Sequence, residues 1–314
     1  MMKTVVLDGY VANPGDLSWA PLEEFGEVVV YERSTDPEEL PARCQGADVL
    51  ITNKTVLREP LLKQLPQLKM ISVLATGYNV VDVKAARSLG IDVCNVPGYS
   101  TDSVAQLVFA LMLEYCHHVQ RHTDAVKAGA WVSSTDFCFW HFPLMELKDK
   151  TLGIVGYGAI GKAVERIALA FGMKVLKCAS TPREGCVSLE EVIRGADFIT
   201  VHCPLTEKTH RLINRETISW MKPTAFLINT ARGGIIDDEA LAEALREGRI
   251  AGAALDVLGD VEPPVNGNPL LQEEKCFITP HLAWATLEAR QRLMQATYEN
   301  VAAFAQGKPV NVVN

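Results

Sequence analysis

Short apolar runs alternate with helical stretches from the first residues of the chain onward. In the first hundred positions the runs Thr4–Leu7, Glu27–Tyr31, Val49–Thr52, Met70–Leu74 and Asp92–Val96 predict strands. Helical stretches lie between them, such as Val81–Leu89, which stops at Gly90 as helices commonly do. Strands alternating with helices in this way predict a parallel sheet covered by helices on both faces. A long helix is then expected from near Ser103 to about Gly129, with Val104, Leu107, Val108, Leu111 and Met112 on one side. Its length suits a connector between domains.

A second alternating series follows. Leu152–Val155, Lys174–Cys178, Phe198–Val201, Ala225–Asn229, Ala251–Asp256 and Cys276–Thr279 predict its strands. The last helix, about Thr286–Gln306, carries Leu293, Met294, Val301 and Phe304 at helical spacing. No strand of the second series follows it, so it is expected to return and pack on the first domain. That makes the first domain discontinuous, residues 1–98 plus 287–314, around a second domain of residues 99–286.

The second series opens on a distinctive turn. The strand Leu152–Val155 runs into Gly156-x-Gly158-x-x-Gly161 and then into a helical stretch, Lys162–Phe171. The first glycine permits a tight turn, the second lets backbone approach a pyrophosphate, and the third lets helix pack on strand. The helix N-terminus adds unpaired N–H donors and the positive end of a dipole. The pattern therefore predicts a dinucleotide site; a glycine-rich turn with no ligand is the plainer alternative.

Composition narrows the class. At 314 residues the chain is long enough for two domains, and 48% hydrophobic with 22% charged residues is an ordinary globular balance. A formal net charge of −8 argues against nucleic acid as the main partner. No apolar run approaches the roughly 18–20 residues that span a membrane. The opening MMKTVVLDGY enters a strand directly and lacks a signal-peptide layout. The eight cysteines are scattered without a CxxC, which indicates neither a disulfide framework nor a metal site. The expectation is a reduced, cytoplasmic enzyme without metal.

Three stretches stand directly after predicted strands, where parallel α/β sheets bind ligands. In Asn229-Thr-Ala-Arg232-Gly-Gly234 an Arg flanked by small residues can present its planar fork to a carboxylate. A local salt bridge is the bland use of the same residue. Asp256 ends a strand and is followed by Glu262-Pro263-Pro264. Thr279-Pro-His281-Leu-Ala-Trp284 follows the last strand. His117, His118, His122, His141 and His210 read as surface or helix residues, whereas His281 shares its strand-end position with an acid and an Arg. A carboxylate paired with imidazole fixes the tautomer and favours the charged ring, which prepares a general acid.

With these residues in hand, the chain strongly resembles the D-isomer-specific 2-hydroxyacid dehydrogenases. The order of GxGxxG, PLTEKTHRLIN (Pro204–Asn214), NTARGG, DV…EP and PHLAWAT carries the resemblance, with ATGYNVVD (Ala75–Asp82) and NVPGYSTDSVAQ (Asn95–Gln106) ahead of it. It covers essentially the whole chain. Within the family, LDGY, NPGDLSW, TNKT, ATGYNVVD and AWAT are most similar to the bacterial glycerate dehydrogenase / hydroxypyruvate reductase group. The resemblance implies an α/β fold of two Rossmann-like domains, a flavodoxin-like substrate domain and a doubly wound dinucleotide-binding domain, with the active site in the cleft between them.

It also implies roles. Arg232 would grip the substrate carboxylate and polarise the keto oxygen. His281 would donate the proton to that oxygen, and Glu262 would orient His281. The backbone N–H groups of Thr76 and Gly77 would hold the carboxylate from the other domain, and Asp256 would sit beside the nicotinamide. The cofactor site would further include Thr101, Gly156, Gly158, Ala159, Ile160, Gly161, Cys203, Pro204, Thr209, Thr230, Ala231, Arg232, His281 and Ala283. One departure stands out: the family commonly places the Glu five residues after the strand-end Asp, whereas Glu262 is six after Asp256, with Val261 in that slot. A one-residue insertion accounts for this. Asp260 remains the competing acid.

The choice of nicotinamide rests on the end of the second strand, where NAD-preferring sites place an acid for the ribose hydroxyls. Here the stretch reads Lys177-Cys-Ala-Ser180-Thr181-Pro182-Arg183, and the first acid is Glu184. Ser180, Thr181 and Arg183 suit a 2′-phosphate, which predicts NADP(H) ahead of NAD(H). Arg183 as a solvated loop residue is the alternative. Lys54, in Thr52-Asn53-Lys54-Thr55, either nears the substrate or is an exposed surface lysine. Trp284 is a candidate pocket wall, and Cys203 reads as a core thiol. Family members dimerise through the region of Phe137-Cys-Phe-Trp140-His; packing in the dimer core is the preferred role for Trp140, with reach into the partner's cleft the other.

The resulting expectation is a homodimeric reductase of hydroxypyruvate or glyoxylate, running in reverse as a glycerate dehydrogenase. The alternatives are another 2-keto acid reductase on the same scaffold and a nicotinamide-sensing binding protein.

Overall fold

The computed structural model describes residues 1–181 and 183–314, so Pro182 of the predicted 2′-phosphate stretch lies outside the described residues. The chain divides into two compact units, Met1–Ser100 with Ala285–Asn314, and Thr101–Trp284. Each has one sheet in which every strand pair is parallel.

The first unit holds β1 (Met2–Val6), β2 (Gly26–Val30), β3 (Val49–Thr52), β4 (Met70–Val73) and β5 (Asp92–Cys94) in the order β2-β1-β3-β4-β5. This is the flavodoxin-like order, with its switch point between β1 and β3. β3 and β4 are buried along their whole length because helices cover both faces, which is why they read as continuous apolar runs. The final helix, Leu287–Ala305, buries Ala289, Leu293, Thr297 and Val301 at four-residue intervals and packs on β4. Thr286 caps it by accepting the Ala289 N–H at 3.3 Å.

The second unit holds β6 (Thr151–Val155), β7 (Lys174–Cys178), β8 (Phe198–Val201), β9 (Phe226–Asn229), β10 (Gly252–Leu255) and β11 (Cys276–Ile278) in the order β11-β10-β9-β8-β6-β7. The chain runs from β6 outward to β7, then crosses to β8 on the other side. Its switch point therefore lies between β6 and β8, directly beyond the glycine turn.

The connector predicted as one helix from Ser103 to Gly129 is two helices, Thr101–His117 and Val119–Lys127. His118 breaks them, with φ 48° and ψ 46° in the left-handed region. The cause is the end of the apolar stripe. Val108, Leu111, Met112 and Cys116 are buried in the first helix, whereas no residue of the second is. With no core beyond Cys116 to follow, nothing favours a straight continuation over a turn. Among the described residues, no helix is long and apolar enough to cross a membrane.

Candidate active site

The glycine turn shows three different uses of one residue type. Gly156 has φ +100°, and a Cβ on it would lie 2.5 Å from the Cys203 nitrogen, so the turn is pressed against the loop after β8. A Cβ on Gly161 would meet the Gly156 carbonyl oxygen at 2.6 Å, which is the close helix–strand packing the motif predicts. Gly158 is the opposite case: among the described residues nothing lies within 4 Å of its Cβ position. The helix begins at Ala159 with Gly158 as its N-cap, earlier than the Lys162 start expected, because the third glycine belongs to the first turn. Ala159 and Ile160 thus sit at the end of a twelve-residue helix whose first amides face the open side of Gly158. The cradle fits a dinucleotide pyrophosphate.

Beyond β7 the end of the strand is cationic and hydroxylic. Arg183 is exposed and donates through Nη1 to the Tyr157 carbonyl oxygen at 2.8 Å, which fastens the strand end to the glycine turn. Ser180 and Thr181 are both exposed. An acid also reaches this strand from another element. Glu165, from the helix after the turn, accepts from Lys177 Nζ at 2.6 Å and from the Tyr157 hydroxyl. Burial works to raise the Glu165 carboxyl, but Lys177 and Tyr157 outweigh it and hold it below the usual range. This charge pair is self-contained, and sequence reasoning missed it because its partners come from two elements and the turn.

The loop after β8 carries Cys203, Pro204 and Thr209. Burial pushes the Cys203 thiol up to about 11, so it is a neutral packing group. The Thr209 hydroxyl donates to the Pro204 carbonyl at 2.6 Å and closes the loop on itself. After β9, the fully buried Asn229 staples the Arg232 turn: its Nδ2 donates to the Arg232 carbonyl at 2.9 Å and its Oδ1 accepts the Ala231 N–H at 2.9 Å. Among the described residues the buried Thr230 hydroxyl has no hydrogen-bond partner, an orphan that a bound ligand group would satisfy.

The strands β10 and β11 bring the acid and the imidazole together. His281 Nδ1 lies 2.6 Å from Glu262 Oε2. With the carboxylate on Nδ1, the ring presents Nε2 to a ligand. Asp260 instead faces His210, 3.4 Å from its Nε2. Asp256, expected beside the nicotinamide, is 1% exposed and has both oxygens engaged by the His281 loop. It accepts from the Thr279 hydroxyl at 2.6 Å and from the N–H groups of Leu282 and Ala283, each at 2.9 Å. The His281 N–H donates to the Asp256 carbonyl at 2.8 Å. His281 is thereby held at φ 51°, a conformation non-glycine residues adopt only when their surroundings impose it. Ser103, near the start of the Thr101–His117 helix, donates to the Ala283 carbonyl at 2.5 Å, so Thr101 and Ala283 stand on adjoining elements.

Lys54, Thr76 and Gly77 belong to the first unit, after β3 and β4. The buried Asp8 carboxylate, following β1, gathers the N–H groups of Asn53 (2.7 Å), Lys54 (2.5 Å) and Thr55 (2.8 Å). Asn53 Nδ2 donates to the Leu74 carbonyl at 2.6 Å, and Asn95 Nδ2 to the Thr76 carbonyl at 2.7 Å. The loops after β1, β3, β4 and β5 are thus stitched together at the carboxyl end of the sheet. Asp8 was not singled out from sequence; only a buried acid two residues beyond a strand could have flagged it.

A doubly wound sheet with a pyrophosphate cradle at its switch point and a carboxylate–imidazole pair at later strand ends defines a dinucleotide-binding α/β protein equipped for proton transfer. Comparison with known proteins narrows the class. A family model described as D-isomer specific 2-hydroxyacid dehydrogenase, NAD binding domain, matches residues 109–283, and the chain belongs to this family. It is 47% identical to a hydroxypyruvate reductase of Blautia hydrogenotrophica, over 100% of both chains. It is 43% identical to a glycerate dehydrogenase of Methylorubrum extorquens, over 94% of this chain and 95% of the relative. Among solved structures, an acyclic imino acid reductase in complex with NADPH and D-Arg superposes with a TM-score of 0.88 at 31% identity, covering 100% of both chains.

Proposed function

We propose that this chain reduces hydroxypyruvate, and glyoxylate with it, to D-glycerate and glycolate, with NADP(H) preferred over NAD(H). The observation that carries the reading is the 2.6 Å contact between His281 Nδ1 and Glu262, on the strand ends that follow Arg232. The names of the relatives at 47% and 43% identity support the substrate class. When bound, the nicotinamide supplies the hydride that reaches C2. Arg232 presents its guanidinium to the substrate carboxylate and keto oxygen. His281 gives the proton from Nε2 to that oxygen as the C=O bond becomes C–OH. Glu262 keeps the other ring nitrogen protonated and the ring oriented. Thr76 and Gly77, through backbone N–H groups, and Lys54 are proposed as further substrate contacts.

The cofactor preference is supported by the residues past β7. Glu165 is committed to Lys177, and Arg183 holds a cation at the strand end beside two hydroxyls. The test is to follow nucleotide oxidation with hydroxypyruvate, using NADPH and NADH in parallel on the wild type and Arg183→Ala. The wild type should favour NADPH, and the variant should raise KM for NADPH about tenfold or more while leaving NADH within about twofold, as loss of a charge-assisted contact predicts. Equal effects on the two nucleotides would remove the assignment.

We also infer a homodimer formed through residues 119–144. Val132 is 93% exposed and Phe137 89%, with Trp140 and Val119 also open to solvent. Large apolar side chains exposed together in one segment suit an association surface. Sedimentation should give twice the chain mass of 34.4 kDa. A single-chain mass at micromolar concentration would contradict it.

A further inference from the structure

We propose that Asp238 and Asn268 form a clasp that positions Glu262 against His281, acting on proton transfer without touching the substrate. The inference rests on the reading of His281 as proton donor.

Glu262 needs such a device. Residues 260–267 are all exposed, and Val261 and Val265 point no apolar side chain into the core. Burial resumes only at the two ends, Leu258 (4% exposed) and Asn268 (8%). An exposed loop of this length samples many conformations unless its ends are tied. One carboxylate ties them. Asp238 Oδ2 accepts from Asn268 Nδ2 at 2.6 Å, and the same oxygen stands 3.6 Å from the Cβ position of Gly259, at the other end of the loop.

Asp238 opens the helix Asp238–Arg246, yet it is not needed to cap it. That task belongs to Asp237, which accepts the Ala240 N–H at 3.2 Å. Asp238 is instead turned to the loop. Burial, with Asp237 and Asp260 nearby, pushes its carboxyl up, so the position carries an electrostatic cost that Asn268 offsets only in part. Asn268 in turn accepts the N–H of the fully buried Leu270 at 3.0 Å, which roots the clasp in the core.

The clasp also sets the loop against Arg232. A Cβ on Gly233 would stand 2.1 Å from the Gly259 carbonyl oxygen, and one on Gly234 would stand 2.2 Å from Asp260 Oδ1. The neck of the Glu262 loop therefore rests on the two glycines that follow the Arg. Holding Gly259 and Asn268 fixes where the loop leaves and re-enters, and Glu262 lies between.

The test is a double-mutant cycle, because a positioning residue that acts through Glu262 loses its effect when Glu262 is already altered. Reduction of hydroxypyruvate by NADPH is measured for the wild type, Asp238→Ala, Glu262→Gln and the double variant. NADPH affinity is followed by fluorescence. Asp238→Ala should lower kcat about tenfold with NADPH affinity within about twofold, and should cost less than about twofold in the Glu262→Gln background. Asn268→Ala, which leaves the Asp238 helix start intact, should repeat the pattern and serves if Asp238→Ala unfolds. Equal losses in both backgrounds, or a loss confined to NADPH affinity, would overturn the clasp while leaving the functional reading in place. A wild type without turnover would overturn both.

Discussion

Replacing His281 by alanine is expected to lower kcat for keto acid reduction by about 10²–10⁴-fold, the usual weight of a positioned general acid. NADPH binding should stay within about twofold. The structure makes this separation sharp. The loop that carries His281 is held by Asp256 through the N–H groups of Leu282 and Ala283, the Thr279 hydroxyl and the His281 backbone itself. None of these bonds uses the imidazole, so alanine removes the proposed proton donor and leaves the loop standing. Turnover and nucleotide affinity measured on the same preparation check it. A variant that keeps more than about a tenth of wild-type kcat would show that the proton comes from elsewhere.

The second large effect falls on Arg232. Arg232→Ala should reduce kcat/KM for the keto acid by roughly 10²–10³-fold, as expected when one partner of a desolvated charge pair is truncated. Arg232→Lys should recover little of it, because an ammonium cannot present two parallel donors to a planar carboxylate. The turn itself should survive either change: Asn229 holds it through the backbone of Ala231 and Arg232, and Gly233 and Gly234 fit under the neighbouring loop. Steady-state kinetics at saturating NADPH are the check. Full activity of the lysine variant would mean that Arg232 supplies only charge, and the bidentate grip would have to be abandoned.

Much of the fold was legible because parallel strands covered on both faces must be apolar throughout. β3 and β8 begin and end where their runs of Val, Leu, Ile, Phe and Thr do. The glycine turn was legible for a related reason: its three glycines answer three separate steric demands, and each demand is visible as a Cβ that would collide or would fill open space. The break at His118 was not, since hydrophobic spacing shows where a helix has a buried face but not where the core beneath it stops.

The site divides in the same way. The choice between Asp260 and Glu262 was open because two acids one residue apart in an exposed loop have no local signature of direction. The path of the loop turns Asp260 toward His210 and Glu262 toward His281. Asp238 and Asn268 are 30 positions apart, and Asp8 reaches Asn53, Lys54 and Thr55 across 45 to 47 positions. Pairings of that range are set by the sheet order, which places strand ends side by side, and no single stretch of sequence records them. Asp256 shows the remaining gap: its position after a strand marked it, but its work on the His281 loop depends on three groups that follow the next strand.

The proposed reaction delivers hydride to one face of C2 of a 2-keto acid and a proton to its oxygen. The most direct measurement uses hydroxypyruvate with each of the two diastereomers of NADPH deuterated at nicotinamide C4, followed by chiral separation and mass analysis of the product. One diastereomer should yield D-glycerate with deuterium at C2, and the other should yield unlabelled D-glycerate. Product without C2 deuterium from either nucleotide, or L-glycerate, would contradict the account.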